Sequence, residues 1–173
     1  MAMTGAEKLM MLMLAEIHEA TVKSGEIDTK LIKSAVINRH EWALAWEYAN
    51  FISDEELSTP EYVHETSGIL TAWLVIENSY QRLSNEEKKE VDAVYGRKPV
   101  FGGFDGNNES EHYSAALFLI DDLHRFALFK GRDINSHMIS LQKHKAIQER
   151  YKPFAANLHS GVLNKNALIE ILQ

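Results

Sequence analysis

The chain has no cysteine, which removes disulfides, thiolate catalysis and cysteine-based zinc or iron–sulfur sites together. Basic residues are also in short supply. Against 25 Asp and Glu stand 18 Lys and Arg, a formal charge of −7. Neutralising phosphates requires clustered cations, and the densest groups, Arg97-Lys98 and Lys143/Lys145, are small. Nucleic acid is therefore disfavoured as a partner. No apolar run approaches the ~18 residues of a membrane span. Glu7, Lys8, Glu16 and His18 interrupt the Met-rich start, unlike the apolar stretch of a secretion signal. A cytoplasmic protein without a membrane partner is the expectation. Also missing are the G-x-S-x-G elbow, the phosphate loop and the dinucleotide fingerprint.

What is present reads as helix. With 45% apolar and 25% charged residues the 173-residue chain has an ordinary globular composition. One domain over 1–173 would bury roughly 70% of the surface its unfolded form exposes. Thr4 with Glu7 has capping-box spacing, and Leu9, Met10, Met13, Leu14 and Ile17 then recur at helical spacing up to Gly25. Asp28 caps a second helix, and Trp42, Trp46 and Ala49 share a face of a third. Thr59-Pro60 opens a helix to about Leu83. Ser84 with Glu87 opens another, ending at Gly96. The pattern then predicts helices from Asn108 to Phe129, from Ser136 to Tyr151 before Pro153, and from Asn164 to Leu172. The expected fold is all-α: a single-domain bundle of seven or eight helices with a Gly-rich loop at about 97–107.

Helical phasing sorts the rings. Tyr62, Ile69, Trp73, Ile76 and Tyr80 mark 60–82 as the central helix. On 108–129 the core stripe is Tyr113, Ala116, Leu117, Ile120, Leu123 and Ala127. Phe118 and Phe129 instead point about 140–160° from Tyr113 at 100° per residue. A buried phenylalanine gains about 1.5–3 kcal/mol, so both need covering, by this chain or by a second copy. They are the interface candidates, and a homo-oligomer is the expectation.

Three of the nine glycines fall within five positions, Gly102, Gly103 and Gly106. Gly102 and Gly103 permit a turn that points Phe101 and Phe104 inward. The loop then serves as a structural plug or as a functional lid. Asp105, Asn107, Glu109 and Glu111 alternate like a calcium loop, but positions six and twelve are Ser110 and Ala116, not Gly and Glu. Two Glu-x-x-His pairs, Glu61/His64 and Glu109/His112, have the spacing of a di-iron bundle site, yet both lie in first turns that favour Glu anyway. No cofactor is expected, and the Glu/His metal site stays as an alternative. Ser136 reads as an N-cap beside His137, with His144 two turns on. A histidine there can move a proton near neutral pH, but no nucleophile stands at recognisable spacing.

The run Phe-Gly-Gly-Phe-Asp-Gly-Asn-Asn-Glu from Phe101, followed by Tyr113, Phe118, Phe126 and Asn135-Ser136-His137, resembles the YfbU family of bacterial proteins, as does the start Thr4-Gly-Ala-Glu-Lys-Leu. The resemblance implies a bacterial, cytoplasmic, helical domain and supplies no reaction or ligand. Its motif falls on Phe104, Asp105, Asn107, Glu109, Tyr113, Asn135 and His137, the ligand or motif candidates. No catalytic residue is assigned. The expected function is a non-enzymatic interaction or regulatory module that self-associates or binds another protein. The alternative is a small-molecule or enzymatic site between the 101–109 loop and the Asn135–His137 turn.

Overall fold

The computed structural model describes residues 3–53, 55–156, 158 and 161–173. Among these residues it contains eight α-helices and no strand. Their contacts group into two compact units, one of residues up to 61 with 118–125, the other of 62–117 with 126–173.

In the first unit, helix α1 (Gly5–Thr21) starts at the expected Thr4/Glu7 capping box. It packs against α2 (Thr29–Ile37), which Asp28 caps by accepting from Lys30 and Leu31 N–H. Helix α3 (Trp42–Glu47) stacks Trp42 edge-on to Trp46, with ring centroids 5.1 Å apart. The faces of α1 are disposed in an unexpected way. Met11, Leu12, Ala15 and His18 are its covered side, whereas Leu9, Met10, Met13, Leu14 and Ile17 are each more than half exposed. These two faces centre about 160° apart at 100° per residue. α1 therefore meets α2 through its smaller, more mixed face and leaves its larger apolar stripe outside.

The second unit is built on α4 (Glu61–Arg82), where Ile69, Trp73, Ile76 and Tyr80 are buried as the phasing predicts. Helix α5 (Asn85–Tyr95) has its Ser84/Glu87 capping box and ends at Gly96 with φ 80°. Helix α7 (Leu141–Ala155) carries Pro153 in its last turn. Helix α8 (Lys165–Leu172), capped by Asn164, packs against α5 and α7.

Between α5 and α7 the structure departs from expectation. Helix α6 is short (Ser110–Leu117) and passes into a π-helical turn over Phe118–Asp122. Helical backbone is then lost, with positive φ at His124 (52°) and Phe126 (53°), before a 3₁₀ turn at Ala127–Phe129. A π turn adds a residue per turn, so a phase counted from Tyr113 no longer holds at Phe129, whereas Phe118, the first residue of that turn, keeps its phase and is covered by another part of the chain. Both rings are buried, at 2% and 1% exposure, and Tyr113 is only half-buried. Phe118 packs on His40 (4.5 Å) and Trp42 (5.9 Å), and Phe129 on Phe101 (5.3 Å). Being covered by their own chain, neither offers a surface to a second copy.

Candidate functional site

The Gly-rich loop and the 134–141 segment are fastened to each other by main-chain hydrogen bonds. Phe104 N–H donates to Ile134 O and Ser136 N–H to Phe104 O, both at 3.0 Å, a parallel bridge between Phe104 and Asn135. Gly103 makes this approach possible. Its φ is 83°, and a Cβ there would lie 1.8 Å from Ile134 O. Phe101 and Phe104 turn inward, 3% and 0% exposed, their rings 5.5 Å apart.

Asp105 and Glu109 organise the polar side of the joint. Asp105 accepts from Asn107 N–H (2.9 Å), Asn108 N–H (3.3 Å) and the Asn108 amide (2.7 Å). These donors, Asn108 first, hold its carboxyl below the usual range. An Asx turn at Asp105 thus leads into the helix expected from Asn108, which begins at Ser110. Glu109, 7% exposed, accepts four hydrogen bonds: Asp105 N–H (2.8 Å), Ser140 N–H (2.8 Å), Leu141 N–H (2.6 Å) and Ser140 Oγ–H (3.0 Å). A carboxylate from the start of α6 therefore caps α7, where the helix dipole also favours negative charge. Burial alone would raise its pKa, but the donors from Asp105, Leu141 and Ser140 outweigh burial and keep it below its ordinary value.

Because Glu109 caps at Ser140, helix α7 starts five residues later than the predicted Ser136. Residues 135–137 form an Asx turn: Asn135 Oδ1 accepts from His137 N–H (3.0 Å) and Gly106 N–H (3.2 Å). Ser136 Oγ–H donates to Met138 O (2.6 Å) and caps nothing. His137 is exposed, with φ 52°.

His144 sits behind this joint, 4% exposed, among Trp73, Phe101 and Phe104 at 5.6, 5.0 and 5.5 Å between ring centroids. Its Nδ1 accepts from Trp73 Nε1–H (2.9 Å), so its Nε2 is the protonated nitrogen and donates to Gly103 O (2.9 Å). Burial lowers its pKa to about 4. On α4, Glu77 is likewise buried, accepting from Phe101 N–H (2.8 Å) and Arg132 (2.9 and 3.0 Å). Sequence reasoning passed over Glu77, although a carboxylate on the stripe between Trp73 and Tyr80 was the available signal.

Of the seven motif positions, Phe104, Asp105, Glu109 and Asn135 are drawn into this joint, Tyr113 is half-buried beside it, and Asn107 and His137 are exposed. The Glu-x-x-His pairs diverge. Glu109 caps α7, and His112 Nε2–H donates to Glu65 (3.0 Å), which also holds Lys145 (2.6 Å). Glu61 and His64 are exposed at the start of α4. Among the described residues no three His, Asp or Glu side chains converge on a metal position, and no helix is long and apolar enough to cross a membrane.

Fold and site together define an all-α protein whose glycine-rich loop is locked to the start of a following helix by buried carboxylate and imidazole hydrogen bonds. The chain belongs to the YfbU domain family, whose model matches residues 1–172. No curated protein and no solved structure is significantly similar to it.

Proposed function

We propose that the protein is a non-enzymatic interaction module that self-associates through the outward face of α1. One observation carries this reading. Leu9 (59% exposed), Met10 (54%), Met13 (55%), Leu14 (64%) and Ile17 (56%) form one unbroken helical stripe in water. The stripe borders a groove of about 480 Å³ whose walls include Leu44, Ile52 and Leu57. Fully burying a Leu, Ile or Met side chain gains about 1.5–3 kcal/mol, and a twofold contact would cover each of the five twice. Contiguous apolar patches of this kind mark interaction surfaces. The non-enzymatic half of the reading is supported by the joint, where the Asp105 and Glu109 carboxylates and both His144 nitrogens are occupied by internal partners.

Light scattering coupled to gel filtration tests it. The wild-type chain is expected to elute as a dimer or larger at micromolar concentration, and Met13→Asp as a monomer. A wild-type chain still monomeric at roughly 100 μM would overturn the reading.

A further inference from the structure

Beside the locked joint lies a cleft of about 220 Å³. Gly102, Gly103, Ser136, Ser140 and His144 line it together with Tyr95, Arg97, Met138, Ile139 and Lys143. None of the seven motif positions lines it. Two features of its lining suit an anionic ligand. Arg97 and Lys143 have no carboxylate within ion-pair distance among the described residues. Both lie instead over one ring, Lys143 Nζ at 4.3 Å and the Arg97 guanidinium at 5.8 Å from the Tyr95 centroid. Like charges near one ring repel each other, and an anion held beside both would lower that cost. In addition, Met138 and Ile139 are 72% and 70% exposed in consecutive positions, so the cleft carries an apolar wall beside its charges.

We propose that this cleft binds a small organic oxyanion, a carboxylate or phosphate monoester on a short apolar body. Arg97 and Lys143 hold the anionic group, while Tyr95, Met138 and Ile139 contact the body. The volume sets the size class. Ligand sites for drug-sized molecules run from about 300 to 1,000 Å³, so the cleft admits one ring or a short branched chain and excludes a nucleotide. Among the described residues no carboxylate lines the cleft; the nearby acid Glu109 reaches it only through the lining residue Ser140, and its oxygens are engaged by four internal donors. Ser140 Oγ–H is committed to Gly103 O (2.9 Å) and Glu109 (3.0 Å), so recognition falls to the two cations and not to a hydroxyl. The inference is independent of self-association, since the cleft and α1 belong to different units.

Calorimetric titration of the intact protein with benzoate, phenyl phosphate and inorganic phosphate tests it, alongside amide NMR shifts at Gly102, Gly103 and Lys143. One or both of the two ring-bearing anions should bind at millimolar affinity or better, with inorganic phosphate at least ~10-fold weaker. Which of the two binds more tightly identifies the anionic group. Arg97→Gln with Lys143→Gln should weaken that binding by ~10-fold or more, while both side chains, being exposed, leave the melting temperature unchanged. The proposal fails if neither ring-bearing anion shifts those amides. It also fails if inorganic phosphate binds equally well, or if the double variant binds as wild type does.

Discussion

Trp73 donates its indole N–H to Nδ1 of His144 at 2.9 Å, across 71 residues of sequence. With Nε2–H given to Gly103 O, the imidazole is fixed as one neutral tautomer inside an aromatic cage. Its pKa is about 4 in the folded chain against an ordinary 6.5. The unfolded chain therefore takes up a proton first as pH falls, and stability is lost between about pH 6.5 and pH 4. The loss reaches about 3 kcal/mol at the lower end. Glu109 adds to the decline below about pH 4.5, since its pKa is depressed and protonation undoes its four contacts. Urea melts at stepped pH measure the slope. His144→Phe should remove the part above pH 4.5. It also strands the Trp73 N–H and the Gly103 carbonyl, costing about 2–5 kcal/mol at pH 7.

Glu109→Gln replaces an acceptor-only carboxylate by an amide whose NH₂ must face a donor. At least one of the Asp105, Ser140 and Leu141 N–H groups then loses its acceptor. The expected loss is about 2–5 kcal/mol. Hydrogen exchange should accelerate first at the start of α7, ahead of α8.

Gly103→Ala introduces a methyl group where Ile134 O already stands, on a backbone at φ 83°. The left-handed conformation and the clash together should cost ~3 kcal/mol or more. Gly102→Ala meets open space and serves as the control, with a melting temperature close to wild type.

Two aspartate substitutions separate the core from the surface. Phe118→Asp places a charge among His40 and Trp42 and should cost ~4 kcal/mol or more, measured by thermal melting. Met13→Asp falls on an exposed position and should change stability by no more than ~0.5 kcal/mol when compared at a concentration where both chains are monomeric, while abolishing association at higher concentration. If Met13→Asp unfolds the protein instead, α1's outward face is part of the core and the proposed surface is wrong.

Local spacing predicts the structure at four helix starts whose capping partner stands within three residues. The Thr4/Glu7 and Ser84/Glu87 boxes, Asp28 and Asn164 all form the caps their spacing predicts. The central stripe of α4 also holds, because an uninterrupted helix of that length keeps its phase. The expectation fails at 118–129 for two reasons: a π turn and two positive φ values reset the phase before Phe129, and Phe118, at its expected angle, is covered by His40 and Trp42 of its own chain. It fails again at Ser136, because the cap of α7 comes from Glu109, 31 residues upstream.

By itself the sequence determined the all-α class, most helix starts and the inward-turned Phe101 and Phe104, since propensity, capping and glycine freedom act over a few bonds. Only tertiary structure decided which apolar stripe of α1 faces water, that Glu109 is a helix cap, and that His144 is a caged neutral imidazole. Those outcomes depend on which distant segment packs and hydrogen-bonds most favourably at each polar atom or ring, a competition between long-range contacts that no local spacing encodes.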